Sequence, residues 1–306
     1  MIIQDKIVYV YDIEVFPNVF HCTVKNTETG ELHKFEISCR RNQLDKLVNF
    51  FHTVNTDYTF GDLYTTKIQL NTDKLFCGYN NLHYDNPIIN YIIDYYVVMK
   101  YKGYRDICRS IFNLSKVITT SSEDDIRAWS KWKYMICFDS FDILTMLYSN
   151  KLRVGLKEIQ VTMQYKNVQE FVADWQADLP ENQIDSMIEY NINDVNSTEE
   201  LLNRCKKDVD LRLAIEDEYG VRVLSKDGVN IGMKILTQKY LEKTGQTWYD
   251  IKDLRSPMDV IPLNKVILPF IKYDSPILQK VLDDMKNQIV SPGRKGYENK
   301  FIFEGL

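Results

Sequence analysis

The chain has 306 residues, 44% of them hydrophobic and 26% charged, enough to bury one large core or two smaller ones. A formal net charge of −5 argues against a protein that coats duplex nucleic acid by charge alone. It leaves room for a site whose metal ions supply positive charge themselves. No run of about 18 apolar residues occurs, so no membrane span is expected, and the opening MIIQDKIVYVYD, interrupted by Asp5 and Lys6, does not read as a secretory signal.

The six cysteines (Cys22, Cys39, Cys77, Cys108, Cys137, Cys205) include no C-x-x-C pair, and several sit inside apolar runs such as LFCGYN and YMICFD. They read as reduced thiols of a cytoplasmic protein that pack as small hydrophobes. The four histidines (His21, His33, His52, His83) show no zinc-ligand spacing.

In chain order, IVYVYDIE (7–14) is apolar on both alternating faces until Asp12, the pattern of a central strand that turns acidic toward its C-terminal end. Residues 19–26 and 31–38 read as two further strands joined by a turn at Thr29 and Gly30. Apolar spacing predicts a helix over 42–54, and the polar stretch 55–73 reads as a surface insertion. KLFCGYN (74–80) is a short buried strand. A helix follows, with Asn86 suited to the N-cap and Pro87 to the first helical position. Residues 100–131 give no clear assignment, and 133–144 reads as a buried strand running into a helix. Asp178, Pro180 and Glu181 predict a capped helix start and a helix reaching about Lys206, followed by a second helix ending at Gly220. Beyond Gly220 the character changes to a polar turn, a helix over 230–245 and a proline-punctuated tail. The expected division is therefore 1–220 as one α/β domain and 221–306 as a smaller, mostly helical extension. Three strands with hairpin-length links predict an antiparallel start, and strands separated by helices predict a parallel remainder, so the expected sheet is mixed and five-stranded.

Three segments carry acids that can do chemistry. Asp12 and Glu14 are two apart on one strand and so share a face. Two adjacent carboxylates repel unless a cation lies between them, and oxygen donors suit Mg²⁺ or Mn²⁺. Taken alone, D-x-E equally fits a solvated strand end. Asp85 lies at a helix start, where the helix dipole favours a carboxylate, although simple capping fits as well. Asn81 and Tyr84, in the same segment, suit nucleotide contact or an ordinary loop. Tyr190 and Asp194 are four apart on a helix and share a face. The stripe Ile184, Ile188, Ile192 and Val195 is expected to face the core and leave that pair on another side. Acids from a strand end, a helix start and a helix face can converge over the C-terminal edge of a sheet. Asp139 and Asp142 can join such a site or serve at a strand end. Lys100, Lys102 and Arg105 can track a phosphate backbone or form a solvated basic face.

DIE (12–14), NLHYD (81–85) and YNIND (190–194), in that order, resemble the three motifs of the DEDD superfamily of 3′→5′ exonucleases, written D-x-E, N-x-x-(F/Y)-D and Y-x-x-x-D. The third motif is of the tyrosine type, because the position where the other subtype carries histidine is Glu189. The resemblance spans residues 7 to about 205. It implies an RNase H-like fold and two divalent cations, Mg²⁺ or Mn²⁺, about 3.5–4 Å apart. On that pattern Asp12 bridges both ions, Glu14 and Asp194 hold the ion carrying the attacking water, Asp85 supports the other, and Tyr190 orients the water. Asn81, Tyr84 and Ile13 then become the candidate contacts to a single-stranded DNA or primer 3′ terminus. The run 220–245 and the ending 293–306 resemble segments that join exonuclease and polymerase domains in bacteriophage DNA polymerases, although no Y-x-D-T-D occurs. That likeness implies a proofreading module, with a polymerase domain in the same or a neighbouring chain and action in the host-cell cytoplasm. Two other enzymes fit the same residues: a stand-alone exonuclease on RNA or short oligonucleotides, and a metal-dependent phosphatase or phosphodiesterase on small substrates. A third alternative, a non-catalytic RNase H-like module that binds DNA or a partner, is expected to lack one of the acids, and all four are present.

Overall fold

The chain opens with a tight hairpin. β1 (Ile2–Ile3) folds back antiparallel on β2 (Lys6–Val15), and the linking Gln4 and Asp5 both take positive φ, 49° and 61°. A two-residue connection needs that backbone to match the right-handed twist of the strands. This computed structural model describes residues 1–52, 73–120, 127–148, 154–252 and 260–290. The polar insertion expected over 55–73 lies, but for Asp73, outside them, as does the ending 293–306.

β2 is the axis of the sheet. On one side it pairs antiparallel with β3 (Phe20–Asn26), which pairs antiparallel with β4 (Leu32–Ile37). On the other side it pairs in parallel with β5 (Lys74–Gly78), and β5 with β6 (Ser140–Asp142). The order β4-β3-β2-β5-β6 is a five-strand path, and β1 beside β2 makes the sheet six-stranded rather than five-stranded. A strand of two residues leaves too short an apolar alternation to be seen in the sequence.

Helices α1 (Leu44–Phe51), α2 (Asp85–Asp94), α3 (Tyr96–Met99), α4 (Tyr104–Thr120) and α5 (Ser130–Tyr134) follow in order. After β6 come α6 (Ile143–Tyr148), α7 (Leu156–Thr162), α8 (Ile184–Arg204) and α9 (Lys206–Tyr219). The buried strand expected over 133–144 shrinks to the three residues of β6, with α5 ahead of it. α4 fills part of the stretch that the sequence left unassigned, burying Ile107, Cys108, Ile111 and Leu114. α9 ends as expected at Gly220, whose φ of 65° is the left-handed cap for which glycine is favoured.

The two faces of β2 divide the core. Tyr9, Tyr11, Ile13 and Val15 point into an aromatic cluster with Phe51, Phe76 and Phe138, covered by α1, α2 and α4. Val8 and Val10 point the other way, with Leu75, Cys77 and Phe141, into a cluster that includes Val195, Leu201 and Leu202 of α8 and Val209 of α9.

Two helix starts differ from expectation. α2 begins two residues early at Asp85, and Asn86 makes no cap. Its side chain instead accepts the Tyr11 hydroxyl and donates to Ser140 Oγ at 2.7 Å. α8 is preceded by a 3₁₀ turn, Glu181–Gln183, and Asp178 does not cap it. The chain there is held by Leu179, which is buried and whose N–H and C=O both bond Asn18, at 2.8 and 2.9 Å. Asp178 lies 3.5 Å from Arg105.

Two compact units emerge, Met1–Thr237 and Gln238–Leu306. The division falls inside α10 (Gly228–Thr244) rather than after residue 220. Val221, Val223 and Ile231 cluster with Ile215, Tyr219 and Ile235, which ties this segment to the first unit. The second unit contains α11 (Trp248–Ile251), α12 (Leu263–Val266) and α13 (Pro276–Lys286), with a two-stranded pair of β7 (Ile261–Pro262) and β8 (Ile289–Val290). Among the described residues, no helix is long and apolar enough to cross a membrane.

Candidate metal centre

Along β2, the side chains of Val8, Val10, Asp12, Glu14 and Phe16 alternate onto the face that α8 covers. That face is apolar, then acidic, then apolar. β5 leaves the sheet at Gly78, just past the Val10–Cys77 pair, so Asp12 and Glu14 lie beyond the last parallel rung. α8 crosses the same face. Its Ile184 and Met187 cluster with Phe16 and Val19, and its Val195, Leu201 and Leu202 with Val8 and Val10. The turns between carry Asn191 and Asp194 directly over the two strand acids.

Carboxylate oxygens of Asp12, Glu14 and Asp194 all lie within 4.8 Å of one another. The expected division of α8 into a core stripe and a separate functional face is therefore corrected. Ile188 and Ile192 are only half-buried, whereas Asn191, Asn193, Asp194, Ser197 and Thr198 are buried. The functional face is the packed face, because the sheet beneath it is itself acidic at that point.

The site is held by a short list of polar contacts. Asn191 Nδ2 donates to Asp12 Oδ2 at 2.7 Å. Asp194 Oδ1 accepts from Gln160 Nε2 at 3.0 Å and from the Lys157 ammonium, both on α7. Gln160 also donates to Ser197 Oγ at 2.7 Å. The Lys157 ammonium lies 4.4 Å from the centre of the Tyr190 ring. Tyr190, half-buried, packs 5.9 Å from Phe171, and its hydroxyl lies in the field of the Asp194 carboxylate.

Burial, then repulsion from Asp85, Glu14 and Asp194, pushes the Asp12 carboxyl well above its ordinary range. Glu14 is raised to about 8 by burial first and by Asp194 second, with the Asn191 amide opposing. Asp85 is raised to about 7, chiefly by burial, against its own N–H and that of Ile13, with Asp142 adding repulsion. Burial first, then the negative charge of Asp194 and Glu14, raises the Tyr190 hydroxyl. So much shared negative charge, opposed by the ammonium of Lys157 in contact with Asp194, is what a divalent cation relieves. The donors are all hard oxygens, which suits Mg²⁺ or Mn²⁺. The residues fit such an ion.

Asp85 stands apart from the three-carboxylate cluster. It is the first residue of α2, buried, and acts on Asp12 as the strongest of its charged neighbours. The set is three acids in mutual reach and a fourth beside them.

Of the three expected nucleic-acid contacts, Asn81 and Ile13 sit in the interior and Tyr84 is half-buried. Asn81 is fully buried, with Nδ2 donating to Asn86 Oδ1 at 3.1 Å and Oδ1 unpartnered. Ile13 belongs to the aromatic core, on the face opposite the acids. Tyr84 is half-buried against that core, with its hydroxyl 2.7 Å from Ser115 Oγ. Asn81 and Tyr84 lie in the loop that leads into Asp85 at the start of α2. Asp142 serves at a strand end: it accepts backbone N–H groups of Asn80, Leu82 and Leu144 at 2.9, 3.3 and 2.8 Å. Asp139 pairs with Lys6 at 2.6 Å and Arg222 at 2.7 Å. Both are outside the acidic cluster.

Lys157, Gln160 and Asn191 were missed from sequence. Asn191 lies three residues before Asp194, inside a segment already singled out. Lys157 and Gln160 share one face of α7, a helix whose sequence gives no cue to what it packs against. A cavity of about 550 Å³ elsewhere in the first unit is lined by Asn86, Asn90, Asp139, Ser140 and Arg222 among others and by none of the clustered acids.

Against protein-family models, curated proteins and solved structures alike, the chain matches none.

Proposed function

We propose that the chain is a metal-dependent 3′→5′ exonuclease that removes nucleoside 5′-monophosphates from single-stranded or frayed DNA ends. The observation that carries this reading is the convergence of Asp12, Glu14 and Asp194 within 4.8 Å. The charge of Asp85 acts on Asp12, and that of Asp194 on the Tyr190 hydroxyl. A mixed sheet with an antiparallel start and parallel continuation is compatible with an RNase H-like fold. The motif resemblance adds the substrate class: a DNA 3′ terminus, in the proofreading module of a bacteriophage polymerase.

Asp12, Glu14, Asp85 and Asp194 would hold Mg²⁺ or Mn²⁺. Bound there, the ions supply a water ionised near neutral pH and a stabilised leaving oxygen. The chain's own contributions are separate. Asn191 fixes the Asp12 carboxylate, and Gln160 fixes Asp194. The Tyr190 hydroxyl, kept protonated by burial first and then by the charge of Asp194 and Glu14, is available to donate to an attacking water.

The test is digestion of a 5′-labelled single strand in Mn²⁺, with Asp12→Ala and Asp194→Ala as variants. Wild type gives a descending ladder and free nucleoside monophosphates. Each variant loses several orders of magnitude in kcat while still binding the strand. Near wild-type cleavage by either variant would overturn the assignment. Matched RNA in the same assay separates DNA from RNA preference.

A further inference from the structure

We propose that Lys157 is a built-in counter-ion of the acidic cluster, holding the metal-free site together and competing with the cation for Asp194. This rests on the cluster being a cation site and deepens it. The ammonium contacts Asp194 Oδ1, lies 4.4 Å from the centre of the Tyr190 ring, and is 28% exposed against 8% for its partner carboxylate. It is thus anchored by a carboxylate on one side and an aromatic face on the other.

Geometry gives Lys157 a role distinct from that of Gln160. Both donate to the same Asp194 oxygen, at the Oδ1 atom. Gln160 is buried, also bonds Ser197, and brings no charge, so it orients the carboxylate. Lys157 is partly exposed at the first turn of α7, on a long flexible stem, and can leave. A divalent cation that takes Asp194 must either displace the ammonium or sit beside it. Both cost metal affinity. Without metal, the same ammonium offsets repulsion among Asp12, Glu14 and Asp194, which it opposes at Asp12 and Glu14.

Two opposite effects therefore come from one substitution. Lys157→Gln removes the positive charge and keeps a polar stem. It should bind Mn²⁺ more tightly, by about tenfold, the size of one charge interaction at a partly screened position. In chelator the same variant should unfold at a lower temperature than wild type. Lys157→Arg, which keeps the charge, should return both properties toward wild type.

The experiment titrates the full chain with Mn²⁺, reading free ion by electron paramagnetic resonance, alongside melting in chelator. Tighter binding by Lys157→Gln with recovery in Lys157→Arg supports the counter-ion role. Equal or weaker binding by Lys157→Gln overturns it while leaving the cation site standing. Identical behaviour of the Gln and Arg variants also overturns it, because charge is then not the cause. If neither wild type nor Lys157→Gln binds Mn²⁺, the cation site itself is wrong and the proposal falls with it.

Discussion

Asn191 reaches from α8 to β2 and donates its side-chain amide to Asp12 Oδ2 at 2.7 Å, the contact that ties the helix acid to the strand acids. Asn191 is fully buried, and its own Oδ1 has no hydrogen-bond partner. The residue thus tolerates an unmet acceptor in order to place its donor. Removing the donor leaves a half-buried carboxylate less supported. Asn191→Ala should lower unfolding free energy in chelator by roughly 1.5–3 kcal/mol, the range for a hydrogen bond to a charged group. Urea titration of both proteins measures it, and a change below about 0.5 kcal/mol would show that the contact carries no weight.

Stability of the metal-free protein should fall as pH rises. Glu14 and Asp85 are raised to about 8 and about 7 from ordinary values of 4.5 and 3.8, chiefly by burial. The folded chain therefore binds more protons than the unfolded chain between those limits. Their contribution is complete below about pH 4 and is lost as pH climbs through 7 to 8. Melting in chelator should drop between about pH 5 and pH 8.5, and millimolar Mn²⁺ should flatten or reverse the trend, since the ion favours the ionised acids. Glu14→Gln should flatten the chelator curve in part. A chelated protein equally stable at both ends of that range would contradict the electrostatics described.

Much of this centre was legible from residue spacing. The switch from Val8 and Val10 to Asp12 and Glu14 on one strand face is a period-two pattern, and it marks where the strand stops being core. Tyr190 and Asp194 share a helix face by simple geometry. What could not be read was which face of α8 meets the sheet, because Ile184, Ile188, Ile192 and Val195 form a credible core stripe. The packed face is mixed instead, since it must match a partner strand that is apolar at both ends and acidic in the middle. The burial of Asn81 and Ile13 was hidden for the same reason: burial on a loop or a doubly covered strand is set by tertiary packing, not by residue type.

Tyr190 should matter to turnover more than to cation binding. Its hydroxyl lies in the field of Asp194 but supplies no carboxylate oxygen. Tyr190→Phe should reduce kcat by about 10- to 100-fold, less than loss of an acid, consistent with a single positioned donor. Mn²⁺ affinity should stay within about twofold of wild type, equivalent to less than 0.5 kcal/mol. Single-turnover digestion and Mn²⁺ titration read the two quantities separately. Unchanged kcat would remove Tyr190 from the chemistry, and a large loss of Mn²⁺ binding would make it part of the cation's support instead.

Gly78 is the last residue of β5, and its missing side chain makes room for the loop that carries Asp85. A Cβ built there would lie 2.7 Å from Asn81 Cβ and 3.0 Å from Asn81 Cγ. Asn81 is fully buried and bonded to Asn86, which in turn holds Tyr11 and Ser140, so it cannot step aside cheaply. Gly78→Ala should therefore destabilise the fold by roughly 1–3 kcal/mol, the usual cost of overpacking. It should also shift the first turn of α2, and with it Asp85, relative to Asp12. Urea unfolding gives the first effect, and a drop in Mn²⁺ affinity at temperatures where the variant stays folded gives the second. A variant as stable as wild type would mean that Asn81 has freedom to move, and the loop would then not be the rigid support for Asp85 that its burial implies.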